Sequence, residues 1–149
     1  MILLTLRNDK DGFTWEQGVS LFLHPYIYRF ACKCGLVVVP DEIILELDKT
    51  LSNGFLEYLS YALEDCIKDL YEEPNLKMLN KYPSRFEKFF YRNKKYTVNY
   101  ATSPQGRIVF CVWSVYSFLK KEIEESRSVT LTLGESSGLV GKVTNELMK

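Results

Sequence analysis

The side chains able to do chemistry are few and scattered along the chain. The single histidine, His24, stands beside Pro25 within a segment of helical spacing, where an imidazole more often packs than moves a proton. Metal binding needs several ligands that converge. Cys32-Lys33-Cys34 has no second Cys or His pair to complete a zinc set, so no zinc site is expected. Asp9-Lys10-Asp11-Gly12 begins like a calcium loop, but Phe13 and Trp15 fill later positions where oxygen ligands belong. The chain has no glycine-rich loop for phosphate and no G-x-S-x-G elbow. Acidic pairs such as Glu72-Glu73 read as surface charge. The sequence predicts a protein that is not an enzyme and takes no cofactor.

The one stretch with an unusual character is SPQGRIVFCVWSVYSFLKKEI, residues 103–123. Ser103 can cap a helix, and Pro104 suits its first turn, where a missing N–H costs nothing. From Ile108 to Leu119 only Ser114 and Ser117 are plainly polar, and no charge appears until Lys120. A surface helix would carry charges every few residues, so this one is expected to be buried on all sides. Gly106 and Arg107 stand at its mouth.

Other helices must surround it. Thr14-Trp15-Glu16-Gln17 has capping-box spacing, and Trp15, Val19, Phe22, Tyr26 and Phe30 follow at helical steps. This predicts a helix of about twenty residues, bent at Pro25 and ending near Gly35. Asp41 is expected to cap a short helix bearing Ile44, Leu47 and Leu51, stopped by Asn53-Gly54. Phe55 to Tyr71 carries the stripe Leu56, Leu59, Leu63, Cys66/Ile67 and Leu70, closed by Pro74. Ser84-Arg85-Phe86-Glu87 is a second capping box, predicting a short helix with Phe86, Phe89 and Phe90. A last helix is expected from Gly138 to Met148. Together these predict one all-α domain over 1–149, a bundle of amphipathic helices around a central helix at about 104–125. Three segments dissent: MILLTL, LVVV (36–39) and VTLTL (129–133) read as strands, and pairing all three would make the fold α+β.

The bulk charge names no partner, because 19 basic residues balance 19 acidic ones. The charge is unevenly placed, however. Ten acidic residues between Asp41 and Glu73 face only Lys49 and Lys68, while seven basic residues between Lys77 and Lys95 face only Glu87. Aromatic and basic residues mix from Arg85 to Tyr100, but the phenylalanines recur at helical spacing, as on a packed face, and nucleic acid is not expected. The N-terminus turns polar too soon for a signal peptide, and no apolar run reaches the roughly 18 to 20 residues of a membrane span. The four cysteines lack disulfide spacing and are expected to be reduced, in a cytosolic protein without a membrane anchor.

Residues 103–123 resemble the BH1 motif of the Bcl-2 family, Asn-Trp-Gly-Arg-Ile-Val before an aromatic-rich apolar helix. Gly106-Arg107-Ile108-Val109 carries the match; Pro104-Gln105 departs from it, and the Gly-Trp BH2 motif is absent. The resemblance implies a compact pro-survival protein like those of large DNA viruses, acting in the host-cell cytoplasm or at mitochondria through partners. Its ligands would be BH3 helices of Bim-, Bak- or Bax-like proteins, sequestered in a hydrophobic groove to inhibit apoptosis. Arg107 would pair with the BH3 aspartate, and Gly106 would admit the peptide backbone. Phe55, Tyr58, Leu59, Ala62 and Leu63 would form one wall, Phe86, Phe89 and Phe90 the other, and Val109 the floor. Apolar surface left by so short a member leaves room for a homodimer. The alternative is a non-enzymatic α or α+β regulatory module that binds nucleic acid or another protein through the basic region 77–95.

Overall fold

A short, mostly apolar run buried on both faces forms the first element. Strand β1, Ile2–Arg7, turns Leu4 and Leu6 inward, while Thr5 on its other face bonds to the Thr14 hydroxyl at 2.9 Å. In the computed structural model, which describes residues 2–36 and 42–135, β1 pairs antiparallel with β2 (Gly12–Thr14) and, on its other side, with a strand from the far end of the chain. Between β2 and the third strand runs helix α1, Gln17–Lys33, with Pro25 inside it. Strand β3, Glu42–Leu47, buries Ile43, Leu45 and Leu47 and leaves Glu42, Ile44 and Glu46 outside. The last strand, which will be β6, spans Val129–Glu135 and lies between β1 and β3, giving an antiparallel sheet in the order β2-β1-β6-β3.

Helix α2, Lys49–Leu70, is capped by Asp48, whose carboxylate accepts from the Leu51 N–H at 2.8 Å. It is followed by the short helix α3, Leu76–Lys81, and a 3-10 turn at Pro83–Arg85. A two-stranded ribbon comes next, β4 (Phe86–Tyr91) with β5 (Lys94–Asn99). Its tight turn places Arg92 and Asn93 in the left-handed region, at φ 50° and 66°. Helix α4, Pro104–Glu124, then leads into β6.

The chain is therefore α+β, and the expected all-α bundle is wrong. Two segments were ambiguous between a period of 3.6 and a period of 2. In EIILEL the spacing Ile44, Leu47, Leu51 fits a helix, but Ile43, Leu45 and Leu47 fit a strand equally well. Strand β6 supplies a full ladder of partners, and strand wins. In FEKFFY the helical reading of Phe86, Phe89 and Phe90 loses to Phe89 and Tyr91 facing inward, with Phe89 directly across from Tyr96. The cap expected at Ser84 is only the 3-10 turn. Asn53-Gly54, expected to stop a helix, lies inside α2: a Cβ on Gly54 would stand 3.2 Å from Phe30 Cε1, so the glycine lets α1 come close. Of the dissenting segments, MILLTL and VTLTL are adjacent strands. All of LVVV but Leu36, the Asp41 cap and the Gly138–Met148 helix lie outside the described residues.

The core joins these layers. Leu4, Leu6, Ile43, Leu45, Leu131 and Leu133 of the sheet belong to one buried cluster with Leu23 and Ile27 of α1, Leu59 and Leu63 of α2, and Val112, Val115 and Leu119 of α4. Each such side chain contributes roughly 1.5–3 kcal/mol by leaving water. No residue from Gly106 to Leu119 is fully exposed, but burial on all sides is not met: Val109, Cys111, Val112, Val115 and Leu119 are buried while Phe110, Trp113, Tyr116 and Phe118 are half-buried. The far end of α4 holds a buried carboxylate. Asn8 Nδ2 donates to Glu122 Oε2 at 2.8 Å, and Asn8 Oδ1 accepts from the Lys10 and Asp11 N–H groups in the β1–β2 turn. Arg127 Nη1 stands 3.7 Å from Glu122 Oε1. Among the described residues no helix is long and apolar enough to cross a membrane.

Glu122→Ala is expected to destabilise the chain by roughly 1–3 kcal/mol in urea titrations, because it leaves the Asn8 amide buried without an acceptor. Glu122→Gln, which keeps an acceptor oxygen, should cost less than half as much.

Candidate functional site

The mouth of α4 is built by a turn that precedes it. Asn99 ends β5, and its side chain closes an Asx turn by accepting from the Thr102 N–H at 2.9 Å while donating to the Thr102 hydroxyl at 2.6 Å. Ser103 then caps α4, its hydroxyl accepting from the Gly106 N–H at 3.1 Å, and Pro104 occupies the first turn as expected. Gly106 is buried, and an added Cβ would lie 2.4 Å from the Asn99 carbonyl oxygen. Its role is to seat the first turn of α4 on the end of β5. The position expected to admit a partner's backbone admits the chain's own.

Arg107 points elsewhere. Its guanidinium lies over the Tyr100 ring, 4.9 Å from the centroid, and its Nε is 3.0 Å from Glu16 Oε1. The carboxylate lies off the N–H direction, so this contact is an ion pair and Nε–H has no aligned acceptor. A hydrogen bond to Tyr100 and then the Glu16 charge push the Arg107 pKa further up. Both partners are partly exposed, at 43% for Arg107 and 56% for Glu16, and such pairs add little to stability. Around them opens a cavity of about 370 Å³ between the first turns of α1 and α4, with Val19, Ile108 and Cys111 on its apolar side.

The other expected ligand residues do not join Arg107. Phe55, Leu59, Ala62 and Leu63 are wholly buried in the core face of α2, and Val109 is equally buried in α4. Tyr58 is half-buried, edge-on to Phe30 at 5.5 Å. Phe89 is sandwiched between Tyr96, 5.2 Å away, and Trp113, 5.3 Å away; Phe86 is half-buried. Only Phe90 stands in solvent. Most of these residues belong to the core, and none of them but Phe90 is exposed among the described residues.

A second region is exposed and charged. Opposite its buried face the ribbon presents Lys88 and Phe90, with Lys95 directly across from Phe90. Phe90 is 67% exposed, and α3 just upstream exposes Leu76 at 70% and Met78 at 38%. The tyrosines of this region are already engaged. Arg85 lies 4.0 Å above Tyr82, Arg92 5.3 Å from Tyr91 and Lys94 5.2 Å from Tyr96. Arg92 also pairs with Glu64 of α2, tying the ribbon's tip to the bundle.

Sequence reasoning missed Glu16 and Tyr100 as neighbours of Arg107. Glu16 was read inside a capping box, whereas it is itself the N-cap of α1 and its side chain caps nothing. No local signal links residues so far apart in sequence. The exposed α3 was signalled only by the short run Leu76-Lys77-Met78-Leu79 between two prolines. Among the described residues no three His, Cys, Asp or Glu side chains gather as a metal site. The chain matches no family model, no curated protein and no solved structure.

Gly106→Ala should cost roughly 1–3 kcal/mol or more, since the clash is with backbone and not with a yielding side chain. Thermal or urea unfolding checks it. The thiols should divide in a native-state thiol assay. Cys32 and Cys34 are exposed and should react, whereas burial pushes Cys66 up to about 12 and Cys111 up to about 11, so both should react only on unfolding.

Proposed function

We propose that this chain is a non-enzymatic protein-interaction module that docks an acidic-rimmed, apolar-centred surface of a partner through α3 and the β4–β5 ribbon. The observation that carries the reading is the exposure of Leu76, Met78 and Phe90 within the most basic segment of the chain. Large apolar side chains in water are costly to leave uncovered when they recur in consecutive elements, and an interface centre of Met, Leu and Phe with a charged rim is the usual composition of a docking site. Lys77, Lys88 and Lys95 are exposed and would supply the rim. Their charge would steer an acidic partner and set the orientation of docking.

A nucleic-acid partner is the weaker reading. Binding of single strands needs free aromatic faces as well as cations. Here Tyr82, Tyr91 and Tyr96 are covered by the chain's own arginine and lysine side chains, and Leu76 and Met78 have no π-face to offer, which leaves Phe90 as a single free ring where a strand would stack on several. Sequestration of BH3 helices was implied by a resemblance whose helical bundle this chain does not form; what survives of it is partner binding, at a different surface. A cytosolic setting belongs to the same proposal, supported by four free thiols.

The test compares the wild type with Phe90→Ser and with Lys88→Glu/Lys95→Glu, all checked for native circular dichroism. Photo-crosslinking from position 97, directly across from Lys88, in cell extract should yield discrete protein adducts that both variants lose. Fluorescent 20-nucleotide single strands should show no binding near 1 μM at about 0.15 M salt. BH3-type peptides form a third arm; binding that ignores both variants would send the function back to another surface. Salt-sensitive oligonucleotide binding lost in Lys88→Glu/Lys95→Glu would overturn the proposal in favour of nucleic acid.

A further inference from the structure

We propose that the cavity between α1 and α4 is a binding site for a small organic carboxylate with a compact apolar body, whose carboxylate takes the place of Glu16 on Arg107. The site is separate from the docking surface above and stands whether or not that reading does.

Size and lining define the ligand's body. A volume of about 370 Å³ lies at the small end of ligand pockets, which run from roughly 300 to 1,000 Å³. Val19, Ile108 and Cys111 give it an apolar side on which a phenyl ring or branched alkyl group can lie. Inorganic anions would leave that side uncovered.

Charge defines the ligand's head. Arg107 is fixed from one side by the Tyr100 ring, so its fork of donors is oriented before anything binds. Its present counter-ion is poorly placed. Glu16 lies off the Nε–H direction, caps no N–H of α1 and is more than half exposed. Swinging it into water costs little, because an exposed pair of this kind adds little to stability. A carboxylate arriving from within the cavity can align with the guanidinium where Glu16 does not. The first turns of two helices border the same space. Loss of the Glu16 charge would leave the cavity strongly favourable to an anion.

Glu16 thus acts as a competing internal ligand, and this sets the test. Benzoate is the probe, benzamide its uncharged isostere and inorganic phosphate the control anion, each titrated into the full chain by amide-resolved NMR. Benzoate should shift resonances of 16–19 and 100–111 with a dissociation constant of about 1 mM or better, and benzamide should bind at least about tenfold more weakly. Glu16→Gln should tighten benzoate several-fold, and Arg107→Gln should weaken it about tenfold. Phosphate should shift these resonances less than benzoate does. The opposite responses of the two variants separate a binding role from damage to the fold, since both disrupt the same ion pair. Equal binding of benzoate and benzamide, no tightening in Glu16→Gln, or no benzoate binding by Glu16→Gln up to about 10 mM would each overturn the proposal.

Discussion

A helix without a charge between Arg107 and Lys120 must be covered over most of its surface, and the architecture follows from covering α4. The buried stripe Phe55, Leu59, Ala62 and Leu63 of α2 packs along it and takes one side. The inward face of the ribbon takes a second side with rings: Phe89 on Trp113, and Tyr91 edge-on to Tyr116 at 5.6 Å. The rim of the sheet takes a third, where Phe118 meets Phe13 edge-on at 5.4 Å. Aliphatic side chains interdigitate against α2, while flat rings slide between strand and helix on the ribbon side. Both solutions reach close packing, but they need different partners, which is why one helix is served by a helix and by strands.

What was legible in the sequence follows from this. The span, cap and extensive burial of α4 could be read locally, because Ser103, Pro104 and the charge-free run state them within twenty residues. Helix α1 and the part of α2 from Phe55 onward could be read for the same reason, from sustained periodicity, but not the start of α2 at Lys49. The strands β3 and β4 could not. Each is six residues long, and six residues carry too few positions to separate a period of 2 from one of 3.6. Their assignment depends on β6 and β5, whose ladders are tertiary facts. The same holds for the two glycines at close approaches. Gly54 looked like a stop and Gly106 like a ligand contact, yet each is small because another part of the chain lies against it. The mistaken groove was a consequence: reading β4 as a helix created a wall that the ribbon does not provide.

The uneven charge is partly structural. The acidic side of α2 and the basic ribbon meet at Glu64, which accepts from the Tyr91 hydroxyl at 3.2 Å and pairs with Arg92. That contact holds a turn whose two residues both sit at positive φ without a glycine, a conformation that costs energy and so needs an anchor. Lys88 and Lys95 form none of these anchors and stand exposed on the face of Phe90, whereas Lys94 lies on the other face, over the Tyr96 ring. Charge that stabilises the ribbon and charge that decorates it are therefore distinguishable residue by residue.

The two ends of α4 make the same distinction. Glu122 is 3% exposed, receives the Asn8 amide and faces Arg127, so removing it strands buried polar groups. Arg107 is partly exposed, faces one loosely aligned carboxylate and borders open space. A buried, multiply bonded charge resists exchange of partners, because every intermediate arrangement leaves a group unsatisfied in low dielectric. An exposed pair exchanges freely, with water filling in. The helix is thus locked at its C-terminal end and electrostatically open at its N-terminal end. Of the two charges that bound its apolar core, Arg107 alone can change partners without unfolding the chain around it.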